Sequence, residues 1–387
     1  MRVLYVINGF DPGGAEHGLL TLVQDGFFDG HELKILAFCK GRGPLAARIA
    51  SAAGESNVML ATTGETLTPQ ACLAGGRLLW RQHREWEPEI VVLSLKQANV
   101  IGRAIACLFP ASRCVSFEHI SRYRARGAEW AYPHLLWLLS FRVDEIWADC
   151  EETHADTGRY FLPRRRRHHV VPLFRTEANA PHKTDYTRHA PLRIAAAGRL
   201  VERKNFPVAV ETMRVLRDTG IAARLDIFGD GPGMSALQDS VARWDIGDRV
   251  RLAGYHADWS REALDHDLFI NLSDTEGFCI VVAEAMAAGL PVIATPVGGI
   301  REYGRDGENI VFLQTADAGR LARQIEQLAD DDLLRRRLGE RARQHMIERF
   351  SASAIRTRGR SILHSAEASG PHPAAATSGV GRPRRSP

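Results

Sequence analysis

Residues 274 to 299 read DTEGFCIVVAEAMAAGLPVIATPVGG, small and apolar almost throughout except for two glutamates, Glu276 and Glu284, with seven residues between them. A glutamate in such a setting is either the wet side of a helix or a group kept for chemistry. The flanks place it. Upstream, DLFINLS (267–273) reads as a buried strand, so residues 274–277 fall on the loop at its carboxyl end. Downstream, 278–288 has the length and composition of a helix, Gly289 fits a left-handed stop, and Pro291 forbids continuation. A helix start presents free N–H groups and partial positive charge to an anion such as phosphate, and Gly277 lets that anion approach closely. Carboxylates accept hydrogen bonds from the vicinal hydroxyls of sugars. One segment thus offers a loop carboxylate, an anion-binding helix end and a second carboxylate two turns along, the set a nucleotide-sugar site requires.

Outward from this stretch, β-rich runs alternate with helix-length intervals. The first half reads RVLYVI (2–7), ELKILAF (32–38), EIVVLS (89–94), RCVSFE (113–118) and DEIWAD (144–149). The second reads LRIAAAG (192–198), ARLDIFG (223–229), DRVRLAG (248–254), DLFINLS (267–273) and LPVIATP (290–296). Near-continuous apolar strands separated by helices predict two parallel, doubly wound sheets covered on both faces, with a ligand cleft where the carboxyl ends meet. The polar, proline-punctuated stretch 176–191 reads as a linker between domains at 1–175 and 192–345. A helical section follows to 366, and 367–387, rich in Pro, Gly, Ala and Ser, reads as a disordered tail.

The whole chain bounds these readings. Its 387 residues exceed one ordinary core and suit two domains of roughly 150 to 200 residues. A net charge of +4 is small for this size and argues against a nucleic-acid partner. The six cysteines show no C-x-x-C spacing, which argues against a zinc site and fits a reducing cytosol. No signal peptide is visible, and no uncharged apolar stretch approaches the roughly 20 residues of a membrane span. The expectation is a cytoplasmic protein, with peripheral contact at the inner face of the membrane as a further one.

EGFCIVVAE with AMAAGLPVIATPVGGIRE resembles the donor-site signature of the retaining glycosyltransferases of family 4, which have the GT-B fold. GRLVERKNF (198–206), DIFGDGP (226–232) and the N-terminal strand followed by Pro12, Gly13, Gly14, Ala15 and Glu16 match further motifs, in the same order. The resemblance implies that Glu276 holds donor-sugar hydroxyls and Glu284 the ribose hydroxyls. It implies that the amides of Gly277, Phe278, Cys279 and Ile280 lie against sugar and phosphate, and that Arg199 and Lys204 bind the diphosphate. Gly13 and Gly14 would approach the phosphates from the other domain, His119 would stand beside the donor sugar, and Gly229, Asp230 and Gly231 would border the base. The C-terminal helix (346–366) would pack back toward the acceptor-binding N-terminal domain. Departures are Ala148, Asp149, Cys150 and Glu151 where a serine-containing turn is usual, Pro172, Leu173 and Phe174 in place of Asn-Pro, and Ile310 for glycine.

Breaking a sugar–diphosphate bond needs charge stabilisation on the departing oxygen, from a metal or from paired cations. No D-x-D stands at a strand end in a metal-like setting, so Arg199 and Lys204 are expected to carry the task with no metal and no cofactor. Retention by double displacement would need a carboxylate nucleophile; the resemblance implies a same-face transfer instead. A nucleotide-sugar epimerase of the same fold and an inactive sugar-nucleotide binder are the alternatives. The acceptor, glycan, lipid-linked or small, is unspecified. In ISRYRARGAEWAYPHLLWLLSF (120–141), Trp130, Tyr132, Leu135, Leu136 and Trp137 are either core or a membrane-facing helix, with core the preferred reading. RRRRHH (164–169) reads as either a phosphate-lipid patch or a solvated turn before a strand, with the turn the preferred reading.

Overall fold

The computed structural model describes residues 1–119, 131–158, 161–163, 165–171 and 173–367, without the side chains of 131 and 365–367. Residues 120–130 of the basic-aromatic segment, including Trp130, together with Arg164, Pro172 and the tail from 368, lie outside them.

Two wholly parallel sheets form. The first contains β1 (Arg2–Ile7), β2 (Glu32–Ala37), β3 (Val58–Leu60), β4 (Ile90–Ser94), β5 (Arg113–Glu118), β6 (Glu145–Ala148) and β7 (Arg167–Val170), in the order β3-β2-β1-β4-β5-β6-β7. The second contains β8 (Leu192–Ala197), β9 (Ala223–Phe228), β10 (Val250–Gly254), β11 (Leu268–Asn271), β12 (Val292–Ala294) and β13 (Val311–Phe312), in the order β10-β9-β8-β11-β12-β13. Central strands are buried along their length, as IVVLS of β4 is, because helices cover both faces. In each sheet the chain order reverses beside the first strand, between β1 and β4 and between β8 and β11. Ligands of open α/β sheets bind at such reversals, outside the carboxyl ends of the strands. The Gly13–Gly14 turn, the 198–204 loop and the Glu276 loop follow β1, β8 and β11.

All ten strands expected from the sequence are present, with ends trimmed by up to two residues. The three others, β3, β7 and β13, have two to four residues and half-buried patterns too short to carry a period. The expected turn at 164–169 runs into β7, where Arg167 pairs with Glu145 at 3.5 Å.

Two further expectations need correction. The helix expected at 278–288 spans Ile280–Ala287, because Cys279 adopts φ 62°, ψ 70° and Tyr303 Oη donates to the carbonyls of Phe278 (3.1 Å) and Cys279 (3.0 Å). Core packing of Leu135, Leu136 and Trp137 holds only for Leu136. Leu135 and Trp137 are 40% and 45% exposed, since the helix Ala131–Leu138 meets the domain along one side.

Residues 175–191 have no helix or strand, yet they are bonded to the second domain. Tyr186 Oη donates to the Gly289 carbonyl at 2.9 Å and the Lys183 N–H to that of Ala288 at 2.8 Å. The helix Asp332–Arg349 stays on the second domain, with Arg343 donating to the Ala287 carbonyl at 2.6 Å. The helix Ala352–Glu367 crosses to the first, burying Ile355, Ile362 and Leu363 among residues such as Phe27 and Leu173.

Candidate functional site

The Glu276 loop closes against the 198–205 loop through backbone and side chain. The Asp274 N–H donates to the Arg203 carbonyl at 2.8 Å, and Asn205 Nδ2 to Asp274 Oδ1 at 2.6 Å. This seam delivers Lys204 Nζ to 2.5 Å from Glu276 Oε1, and Arg203 Nη1 to 3.3 Å from Oε2 and 2.9 Å from the Thr275 carbonyl. Burial alone would raise the Glu276 carboxyl; Lys204 and Arg203 outweigh it and hold the group below its ordinary value. Sequence reading singled out Lys204 and Glu276 but not Arg203. Its signal was present, one position before the lysine in the same motif.

Glu284 lies one helical turn into Ile280–Ala287, and burial pushes its carboxyl up to about 7 although Trp259 Nε1 donates to its Oε2 at 2.9 Å. Trp259 comes from a four-residue helix that no motif marks. His119 follows β5 with Nε2 2.8 Å from Ser94 Oγ and its ring against Phe117, and burial lowers it to about 3, so it is neutral at pH 7. Arg199 is exposed after β8 and pulls down the carboxyl of Glu16, which burial nevertheless raises to about 8. A Cβ on Gly14 would lie 3.7 Å from Ile280 Cδ1, so the glycine turn of the first domain faces the start of the Glu284 helix.

Gly229 has φ 151°, and a Cβ there would fall 1.9 Å from the Gly198 carbonyl oxygen. The 229–233 and 198–200 loops are zipped together, Leu200 N–H to the Asp230 carbonyl and Gly233 N–H to the Leu200 carbonyl, both at 2.9 Å. Gly229, Asp230 and Gly231 therefore serve the packing of the Arg199 loop whatever else they meet.

The two domains touch at Gly277. A Cβ on it would lie 2.2 Å from Asp149 Oδ2 and 2.4 Å from the His119 carbonyl oxygen. Asp149 Oδ2 accepts the Phe278 N–H at 3.1 Å, Glu152 Oε2 the Gly298 N–H at 2.9 Å, and Glu302 Oε1 the Glu151 N–H at 2.5 Å. Close approach at Gly277 is thus used by the first domain, and one of the four amides expected to face a donor is bonded to Asp149. The Phe278 ring points away from the cleft, into a cluster with Phe174, Tyr303 and Phe350. Burial raises Asp149 to about 7. Asp149 and Glu151 are two of the four residues that depart from the serine-containing turn; the departure marked the place but not its partner. Among the described residues no group of three or more His, Cys, Asp or Glu could hold a metal ion.

Two facing doubly wound sheets with this constellation define a GT-B architecture. Anabaena HepE (Alr3699) in complex with UDP-glucose superposes with a TM-score of 0.75 over 94% of this chain and 100% of that one at 18% identity. A Thermosynechococcus elongatus sucrose-phosphate synthase gives 0.78 over 95% and 99% at 17%. Residues 185–345 match the family described as glycosyl transferases group 1. The lipopolysaccharide core biosynthesis glycosyltransferase LpsE of Rhizobium meliloti (strain 1021) is 35% identical over 173 residues, 45% of this chain and 49% of that protein. The N-acetyl-alpha-D-glucosaminyl L-malate synthase of Bacillus anthracis is 36% identical over 137 residues, 35% and 36% of the two chains. The chain thus spans about half the length, or less, of these curated relatives.

Proposed function

We propose that the protein is a retaining glycosyltransferase of family 4 that moves a sugar from a nucleoside-diphosphate sugar to a hydroxyl, in polysaccharide, lipopolysaccharide or other glycoconjugate assembly. The observation that carries this reading is Glu276, held between Lys204 and Arg203 at the carboxyl end of β11, with Glu284 on the next helix. The names of LpsE and of HepE bound to UDP-glucose support the same class of donor and product.

In this reading Arg199 and Lys204 bind the diphosphate and stabilise the charge that grows on it without a metal. Glu276 positions Lys204 and accepts donor-sugar hydroxyls, and Glu284 accepts those of the ribose. A carboxylate bonded to two cations is a poor nucleophile, which favours same-face transfer over a covalent intermediate. The bond from the anomeric carbon to phosphate breaks, the acceptor oxygen bonds that carbon, and the acceptor proton passes to the leaving phosphate oxygen. Neutral His119 is suited to accepting a sugar hydroxyl rather than binding phosphate. On the acceptor side, Leu135, Trp137, Leu138 and Phe141, 40–56% exposed, support a peripheral membrane contact for a lipid-linked acceptor.

The test is a thermal-shift panel with UDP, GDP, ADP, dTDP and CDP, each with and without EDTA, followed by hydrolysis of the matching nucleotide sugar. A nucleotide at 100 times its Kd should add about 2.7 kcal/mol of stability. One nucleotide stabilising regardless of EDTA, with slow donor hydrolysis retaining the anomeric configuration, is the expected result. Stabilisation without hydrolysis or transfer would make the chain a binder; stabilisation only in the absence of EDTA would replace the cation pair by a metal.

A further inference from the structure

A second charged concavity lies at the other pole of the same domain, where β8, β9 and β10 begin. The register sets Arg193 directly opposite Arg224 and Arg251 opposite Asp226. The Leu225 N–H bonds the Arg249 carbonyl at 2.8 Å, so Arg249 stands beside Arg224 on its other side. Three arginines are therefore abreast, two on β8 and β9 and the third just before β10, and with Arg251 they line a cavity of about 400 Å³. Like charges directly opposite one another in a sheet are destabilising. An arrangement that breaks a local rule without gain to the fold is where function is to be sought.

The carboxylates nearby leave these arginines uncompensated. Asp226 is taken by Arg251 Nη2 at 2.7 Å and His266 Nε2 at 3.0 Å, and Glu262 by His256 at 2.5 Å. Arg249 donates to a carbonyl, that of Ile221, at 3.1 Å. Arg193 and Arg224 are exposed and form no ion pair among the described residues. Asp248 and Asp265 also line the cavity and reduce its net charge, but neither bonds an arginine. At the cavity wall His266 is 6% exposed, and its Nδ1 has no hydrogen-bond partner among the described residues.

We infer that this concavity is a second binding site, for a small soluble phosphorylated ligand, separate from the donor cleft. Guanidinium groups match phosphate oxygens two at a time. The volume falls in the range of small-molecule sites, roughly 300 to 1,000 Å³. His266 Nδ1, without a hydrogen-bond partner among the described residues, is a further polar atom at the cavity wall.

Calorimetric titration of the full chain with inorganic pyrophosphate tests this. Pyrophosphate also suits the donor cleft, so wild type is expected to bind it at two sites. Arg193→Ser with Arg224→Ser should weaken one of them at least tenfold, the scale of losing two charge-assisted hydrogen bonds. Arg199→Ala should weaken the other and spare the first. Both substituted positions are exposed, and an unchanged thermal midpoint certifies the fold of each variant. Unaltered stoichiometry and affinity in the arginine pair variant would overturn the inference. So would cosedimentation with phosphatidylglycerol vesicles that depends on Arg193 and Arg224 without pyrophosphate binding, since the site would then serve a lipid headgroup.

Discussion

The Nζ of Lys204 lies 2.5 Å from Oε1 of Glu276, with both side chains more than nine-tenths buried and the pair spanning the loops after β8 and β11. Breaking a buried pair by removing one partner leaves an uncompensated charge and costs about 3 to 5 kcal/mol. Lys204→Ala is therefore expected to lower the thermal midpoint and, through lost charge stabilisation, to lower turnover roughly 100-fold to 1,000-fold. Lys204→Met with Glu276→Gln should recover much of the stability and none of the turnover. A double variant as unstable as Lys204→Ala, or Lys204→Ala with near-normal turnover, would remove the pair from the mechanism.

The cleft carboxyls are expected to act in opposite directions with pH. Glu284, Glu16 and Asp149 are raised by burial to about 7, 8 and 7, so each binds its proton more tightly folded than unfolded. Their contribution is complete below the ordinary carboxylate range and is lost as pH rises toward 7 or 8. Glu276 is lowered, so its contribution is present above that range and is lost as pH falls through its folded value. For Glu284 the change from 4.5 to about 7 corresponds to on the order of 3 kcal/mol. Denaturation of Glu284→Gln at pH 5 and pH 8 should show the variant gaining on wild type at the higher pH. Ribose hydroxyls donating to Glu284 favour its charged form, so nucleotide affinity should rise through pH 7 in wild type and stay flat in the variant. Parallel pH curves for both would exclude a titrating Glu284.

Gly277 and Asp149 are expected to control how closely the domains meet. Alanine at 277 would overlap the Asp149 carboxylate and the His119 carbonyl, and the latter is backbone that cannot rotate aside. Gly277→Ala should enlarge the radius of gyration in small-angle scattering and lower turnover roughly 100-fold, as small misplacements of reacting groups do. Asp149→Ala removes the bond to the Phe278 N–H and should open the domains with a smaller loss. Unchanged scattering and turnover in Gly277→Ala would mean that the contact plays no part in catalysis.

How much of this the sequence disclosed follows from the range of each interaction. Strand β1 was legible to the residue because five consecutive apolar residues follow Arg2, and the loop placing Glu276 followed from the strand before it. Arg203 stood unremarked beside Lys204, since nothing local tells that both adjacent cations turn toward a carboxylate more than 70 positions away. Trp259 on Glu284, and Asp149 on Phe278, depend on how separate elements dock. The late start of the Glu284 helix belongs here too: Tyr303, from a separate element, bonds the carbonyls of the two residues before Ile280, and Cys279 is left-handed.

The exposed apolar face of the first domain gives the last expectation. Leu135, Trp137, Leu138 and Phe141 project from the segment 131–142, while Leu136 anchors it in the interior. In the sequence the arginines of RYRAR (122–126) precede it. Apolar side chains flanked by basic ones suit the boundary of an anionic bilayer, to which each basic residue near the surface contributes about 1 kcal/mol. Flotation with phosphatidylglycerol vesicles should carry the protein upward, less so in high salt. Trp137→Ser with Phe141→Ser should weaken flotation at a small cost to the thermal midpoint, because both side chains are already about half in water. Equal flotation by wild type and variant, or none by either, would assign this face to something other than a membrane and leave the acceptor to be sought among soluble glycans.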